Sequence, residues 1–175
     1  GTIVSKQLKK YICSTNAPVI RVQLNDEMVD TFKNNSFIVR QTIADGLQTL
    51  SDYLYKSNLA SEFSASWKEA SEKAKKSRNE YLSKTIFSDL KIFELLAKKI
   101  PTDSVIHLGN STPVRYAQIM NDFFGEGCTF FSNRGTSGID GCTSTAAGYS
   151  YINNNLNFLI TGDLSFQYDA NAFFN

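Results

Sequence analysis

Hydrophobic spacing changes several times along this chain, and each change marks an element. Ile3, Val4, Leu8 and Ile12 recur at helical intervals with Lys9 and Lys10 opposite, predicting a short amphipathic helix over residues 2–12 that Ala17-Pro18 ends. Residues 19–24 and 37–39 are rich in strand formers and read as strands. Thr42 is placed to cap a helix whose Ile43, Leu47, Leu50 and Leu54 fall four, three and four apart. Residues 61–83 predict a long lysine-rich helix with Phe63, Trp67, Ala70 and Ala74 as its buried stripe. Its Lys73, Lys75, Lys76 and Arg78 read as a solvated face. A further helix is expected over Asp89–Lys99, with Ser88 as N-cap and Phe87 stapled onto Ile92. Leu90, Phe93, Leu96 and Ala97 point inward, Lys98 and Lys99 suit the last turn, and Pro101 closes it.

From Val105 onward the layout repeats. Strand Val105–Leu108 leads into Gly109-Asn110-Ser111 and a helix through Val114, Tyr116, Ile119 and Met120. Strand Thr129–Phe131 leads into Ser132–Gly135, a glycine-rich loop and a small-residue helix over Cys142–Tyr151. Strand Phe158–Thr161 leads into Gly162-Asp163-Leu164-Ser165. Strand, loop and helix in that order predict right-handed crossovers and an α/β fold, a parallel sheet with flanking helices. In such a sheet the carboxyl ends of all strands share one edge, where ligands bind, so the three loops are expected to face one crevice.

A length of 175 residues allows a sizeable core, and 13% aromatic with 20% charged residues describes a globular chain. A net charge of +1 argues against nucleic-acid partners and a polybasic membrane anchor. No apolar run is long enough to span a bilayer, and no signal peptide is visible. Cys13, Cys128 and Cys142 contain no C-x-x-C, which fits a reduced cytoplasmic protein without a disulfide framework or zinc site, Cys128 being a small core residue. His107, the lone histidine, reads as structural. The absence of an initiator Met and the end directly after Phe173-Phe174-Asn175 lead to the expectation that this is a piece of a longer protein.

Candidate chemistry gathers in the second half. A strand ending in Gly162-Asp163 suits a phosphate and its metal. The glycine admits close approach, the carboxylate can hold a hard cation, and the Ser165 hydroxyl can bond phosphate oxygens. The same residues also suit a plain helix cap. Residues 101–175 contain two cationic side chains, Arg115 and Arg134, both near these loops. They suit bidentate binding of substrate carboxylates or, alternatively, surface ion pairs. Ile139, set between Gly138 and Asp140-Gly141, is either a core plug or a wedge against an aromatic cofactor, and Asp140 is placed to cap the helix that follows.

Three strings carry a resemblance: Gly109-Asn110-Ser111-x-x-x-Arg115; Ser132-Asn133-Arg134-Gly135-x-Ser137-Gly138-Ile139-Asp140-Gly141-x-x-Ser144-Thr145-Ala146-Ala147-Gly148; and Gly162-Asp163-Leu164-Ser165-x-x-x-Asp169-x-Asn171. Over residues 86–175 they resemble the 2-succinyl-5-enolpyruvyl-6-hydroxy-3-cyclohexene-1-carboxylate synthases, thiamine-diphosphate (ThDP) enzymes of menaquinone biosynthesis. Gly1–Lys6 is similar to a helix of that family's central domain.

The resemblance implies residues 1–57 as the end of the central domain, 58–85 as a helical connector, and 86–175 as the first half of the diphosphate-binding domain. It implies Asp163 as a ligand of Mg²⁺ or Mn²⁺, Gly162, Leu164 and Ser165 as diphosphate contacts, and Ile139 as the wedge that bends ThDP. It further implies that Ser111, Arg115 and Arg134 bind the carboxylates of 2-oxoglutarate and isochorismate. The implied reaction is decarboxylation of 2-oxoglutarate and addition of the succinyl carbanion to isochorismate, by a homodimer or tetramer.

Two parts of the family pattern are missing. Its Asn-Asn metal motif would lie beyond Asn175, and the activating glutamate belongs to the pyrimidine-binding domain, across a dimer interface. No catalytic residue is therefore expected within this chain, which alone should be inactive and bind ThDP poorly. The alternatives are another ThDP carboligase of the acetolactate-synthase type, or a non-catalytic nucleotide-binding module.

Overall fold

The structure, a computed structural model, describes residues 3, 5–34, 36–57, 62–135 and 137–174. Residues 58–61 of the predicted connector, Val4 of the first predicted helix and Thr136 of the glycine-rich loop lie outside the described residues. The chain forms two compact units, residues 1–69 and 70–175.

In the first unit, helix α1 (Lys6–Ser14) starts at Ser5, whose hydroxyl accepts from the Leu8 N–H. Strands β1 (Val19–Gln23) and β2 (Ser36–Arg40) pair in parallel, with Val19 opposite Ser36 and Gln23 opposite Arg40. Buried Asn34 ties this unit together, its amide nitrogen donating to the carbonyls of Ile12, Thr15 and Ala17 at 2.9, 2.9 and 3.2 Å. Helix α2 (Ile43–Ser57) is capped as predicted. The Thr42 hydroxyl accepts from the Asp45 N–H and donates to the Asp45 carboxylate. Gly46 lets α2 lie close to β1, since a Cβ there would meet Val22 Cγ1 at 2.6 Å.

Helix α3 (Phe63–Lys84) departs from its prediction in two ways. Leu82 is its one buried residue among those described, while Phe63 and Trp67 are exposed and stack on each other with ring centroids 5.9 Å apart. Arg78 is also not a solvated charge. Its side chain is 14% exposed, forks onto Asp122 (2.6 and 3.0 Å), reaches the Ile119 carbonyl, and lies 4.4 Å from the Phe123 ring.

In the second unit, helix α4 (Asp89–Lys99) has the predicted bounds but a different lead-in. The Ser88 hydroxyl donates back to the Ile86 carbonyl instead of capping, and Phe87, 79% exposed, does not staple onto Ile92. Phe93 and Ala97 are buried as expected, but Leu96 is exposed, and Glu94 takes a buried place between Lys91 and Lys98. Strand β3 (Val105–Leu108) is buried at all four positions and sits at the centre of a parallel sheet in the order β4-β3-β5. The outer strands are β4 (Thr129–Phe131) and β5 (Asn157–Ile160). Helices α5 (Thr112–Ile119), α6 (Cys142–Ile152) and α7 (Asp163–Tyr168) follow β3, β4 and β5 in turn. The core joins Leu82, Phe93, Ile100, Ile106, Leu108, Ala117 and Met120, with Cys128 packed against it. The α/β class with parallel strands and flanking helices is thus the observed one.

Candidate functional site

Strand order explains where this unit opens. From β3 the chain moves outward to β4, then returns past β3 to form β5. A sheet whose order reverses in this way leaves a crevice at the carboxyl ends of the strands flanking the reversal. Here a cleft of about 880 Å³ lies between the segments that follow β3 and β5. Its walls include Asn110, Ser111, Ile139 and Thr161 to Ser165, with Ile92, Leu96 and Tyr116 forming an apolar side. The exposure of Leu96, unexpected from the helical pattern, follows from its place on this wall.

Six predicted site residues meet at the cleft: Ser111, Ile139, Gly162, Asp163, Leu164 and Ser165. Ile139 is 38% exposed at its edge. Gly162 has open space where a Cβ would stand, with no heavy atom within 4 Å. The Asp163 carboxylate has no hydrogen bond or ion pair among the described residues, and neither Asp163 nor Ser165 caps α7, whose N-cap is Gly162. Thr161 Oγ1 is buried in the same wall and has no hydrogen-bond partner among the described residues. Ser111 has φ 73° and ψ −117°, a backbone region that disfavours side chains, held at the turn from β3 into α5.

The loop after β4 lies on the far side of β3 and reaches the cleft through Asn110. This buried side chain donates to the carbonyls of Asn133 and Gly138, and its oxygen faces Arg134 Nη1 at 3.4 Å. Arg134 and Arg115 are both exposed and do not line the cleft itself. Asn133 closes the loop's base, donating to the Gly141 carbonyl and Thr145 hydroxyl at 3.2 and 3.1 Å. Nothing in the local pattern singles out Asn110 or Asn133 as loop fasteners, because their partners lie far along the chain.

Three hydrogen bonds join this loop and the start of α6 to the residues after β5. The Ser165 hydroxyl, on a side chain 6% exposed, donates to the Ile139 carbonyl. Asp169, 8% exposed, accepts from the Ser144 N–H at 2.6 Å and the Ser144 hydroxyl at 2.5 Å. Burial pushes the Asp169 carboxyl upward, but bonds from the Ser144 hydroxyl and the Ser144 and Thr143 N–H groups outweigh it and hold the group below its ordinary value. Asp140 does not cap α6. The N-cap position is Gly141, at φ 75°, and Asp140 folds back so that a Cβ on Gly138 would lie 2.5 Å from its carboxylate. His107 is buried on β3, hydrogen-bonded to Asn157 and packed against Phe131 and Tyr149, as its structural reading requires.

A relative from Porphyromonas gingivalis is 44% identical over 110 residues, 63% of this chain and 19% of its own length. One from Flavobacterium johnsoniae is 46% identical over 98 residues, 56% of this chain and 17% of its own. A relative from Bacteroides thetaiotaomicron aligns with the whole chain at 33% identity, over 30% of its own length. All three are named 2-succinyl-5-enolpyruvyl-6-hydroxy-3-cyclohexene-1-carboxylate synthase. Over its whole length the chain is similar to these synthases. No family model matches it. The chain thus spans less than a third of the synthases it resembles. Among the described residues no helix is long and apolar enough to cross a membrane.

The cleft can be compared with the group the family implies. Among the described residues no cluster of three or more His, Cys, Asp or Glu could hold a metal by itself. A cation at Asp163 would take its other ligands from carbonyls, water and the oxygens of a phosphate. That suits a hard ion bridging a diphosphate. The unfilled space over Gly162, the Thr161 hydroxyl with no partner among the described residues, and the apolar wall beside Ile139 suit a ligand with a phosphate end and a ring.

Proposed function

We propose that this chain supplies the first half of the diphosphate-binding domain, preceded by the end of the central domain, of a ThDP-dependent synthase. The whole enzyme decarboxylates 2-oxoglutarate and adds the succinyl group to isochorismate, a step of menaquinone biosynthesis. The observation that carries the reading is the convergence of Gly162-Asp163, Ser111 and Ile139 on one cleft at the strand-order reversal, in a chain whose relatives carry the synthase name.

When bound, the cofactor supplies the electron sink for losing CO₂ from a 2-oxo acid. The chain's own residues hold and orient. Asp163 would hold Mg²⁺ or Mn²⁺, and Gly162 leaves room for close approach of the diphosphate. Leu164 and Ser165 border the diphosphate. The Ser165 hydroxyl proton is already given to the Ile139 carbonyl, so, against the sequence expectation, the hydroxyl has no proton left to offer a phosphate oxygen. Ile139, at the cleft's edge, would contact the cofactor. Arg134, steadied by Asn110, and Arg115 with Ser111 bind substrate carboxylates. The remaining metal ligands and the activating carboxylate come from other parts of a longer, homo-oligomeric protein, and the present chain alone is inactive.

The test uses the full-length protein with ThDP and Mg²⁺, incubated with 2-oxoglutarate with and without isochorismate, following CO₂ and product by mass spectrometry. The expected result is an isochorismate-dependent succinyl adduct that Arg134→Ala loses. CO₂ without adduct would retain the cofactor and remove the acceptor. Neither signal would sink the reading.

A further inference from the structure

The N-terminus of α6 lacks a local cap. Its first N–H groups have no intrahelical acceptor, its N-cap residue is a glycine, and Asp140 is turned away over Gly138. The cap arrives instead from 25 residues further on, where Asp169 grips the Ser144 N–H and hydroxyl from the segment following Gly162–Ser165. No cation pairs with this buried carboxylate among the described residues, so its charge is met by hydrogen-bond donors and the positive end of an 11-residue helix.

Its position matters more than its strength. Ile139 lies between Gly138 and Gly141, residues whose backbones turn at little cost. Ser165 fastens the stretch Ile139–Ser144 at one end and Asp169 at the other, and both belong to the α7 segment that opens with the Gly162-Asp163 turn. A neutral hydroxyl could cap α6 adequately. The three-donor grip of a carboxylate fixes where the helix begins and so where the loop before it must run.

The structure assigns Asp169 as a positioning residue: its grip on the start of α6 sets the path of residues 137–141, so that Ile139 is presented to the cleft in register with Gly162 and Asp163. This rests on the ThDP reading given above. No contact of Asp169 with a ligand is required.

The experiment compares wild type, Asp169→Asn and Ser144→Ala in the full-length protein with Mg²⁺ present. Three quantities are read: ThDP affinity by titration calorimetry, hydrogen exchange of residues 137–145 against residues 105–108 and 157–160, and the split between KM and kcat for 2-oxoglutarate. Asp169→Asn keeps the volume but turns an NH₂ group toward donors. It is expected to speed exchange of 137–145 at least tenfold while the strands keep their protection, to weaken ThDP binding about tenfold, and to raise KM more than it lowers kcat. Ser144→Ala, which keeps the backbone donors, should move each quantity the same way by less. Wild-type loop exchange and ThDP affinity in Asp169→Asn would overturn the assignment, as would equal acceleration throughout residues 70–175, the mark of a purely stabilising role. A wild-type protein that binds no ThDP would overturn both this assignment and the proposed function. Normal binding in both wild type and variant removes the assignment alone.

Discussion

The Ser165 hydroxyl donates to the Ile139 main-chain carbonyl across 26 residues of sequence, so the turn after β5 and the glycine-rich loop after β4 share a bond at the cleft's edge. Both partners stand out in the sequence as candidate ligand contacts, yet in the structure they first serve each other. Removing one partner of a buried hydrogen bond leaves the other unsatisfied, at a cost of about 1–3 kcal/mol. Ser165→Ala should therefore destabilise the full chain by that amount in urea denaturation. Ser165→Thr, which keeps the hydroxyl, should recover part of it. A Ser165→Ala chain of unchanged stability would show that the bond contributes nothing.

Asn110 has the larger burden. Its amide nitrogen serves two carbonyls and its oxygen faces Arg134. Asn110→Ala should cost about 2–4 kcal/mol by leaving several groups unpaired. Asn110→Asp should be as costly at neutral pH, because it sets a carboxylate oxygen against the Asn133 and Gly138 carbonyls. Thermal unfolding of the two variants checks this, and an Asp variant near wild type would contradict the assigned donor geometry.

Arg78 shows why a charge-rich helix face misleads. In sequence it is one cation among several on a polar surface. Its partner Asp122 lies 44 residues on, beyond any helical spacing. Lysine can match neither the two-oxygen fork nor the flat contact with Phe123. Arg78→Lys should cost about 1–2 kcal/mol, and a double-mutant cycle with Asp122→Asn should return a coupling of about 1 kcal/mol. Additive single and double variants would place Arg78 back among solvated charges.

Those elements whose signals are local were legible. Helix α4 has the predicted ends because its apolar period and Pro101 are unambiguous, and β3 reads as a central strand because all four residues are apolar or able to bury. Thr42 and Asp45 form their cap within one turn. What escaped was decided at a distance. Asp169, not adjacent Asp140, caps α6, since Asp140 folds over Gly138. Leu96 is exposed because a cleft stands where the helical pattern predicts core. The meeting of Gly162, Asp163 and Ile139 was legible because strand-end position follows from topology. That Ile139, alone among the described residues of its loop, would line the cleft required the strand order, which hydrophobic patterns do not contain.

Acid should loosen the second unit in a defined direction. Hydrogen bonds from Lys91 and then Lys98 hold the Glu94 carboxyl below its ordinary value against the opposing effect of burial, and Asp169 is also depressed. A carboxyl depressed in the folded state adds stability above its unfolded pKa and loses it as pH falls toward the folded one. The urea midpoint should thus hold from neutrality to about pH 5 and then drop with acidification. Glu94→Gln should lower the midpoint at pH 7 and flatten the drop. A midpoint that rises on acidification would contradict both depressed carboxyls.

Two glycines at the ends of β3 and β5 separate folding from binding. An alanine Cβ at Gly109 would stand 2.7 Å from Thr161 Oγ1 and 3.1 Å from Thr161 Cα, against main chain that cannot withdraw. At Gly162 the Cβ meets nothing within 4 Å, and the backbone there, φ −79° and ψ 158°, accepts any residue. Gly109→Ala should therefore cost about 1–3 kcal/mol by overpacking. Gly162→Ala should leave stability within about 0.5 kcal/mol of wild type. If the space over Gly162 receives a diphosphate, the methyl group that folding tolerates will fill it, and ThDP affinity of the full-length protein with Mg²⁺ should fall by at least tenfold. Calorimetric titration beside thermal unfolding reads both effects. A Gly162→Ala protein that is stable and binds ThDP like wild type would show that the open space is not where the phosphates lie.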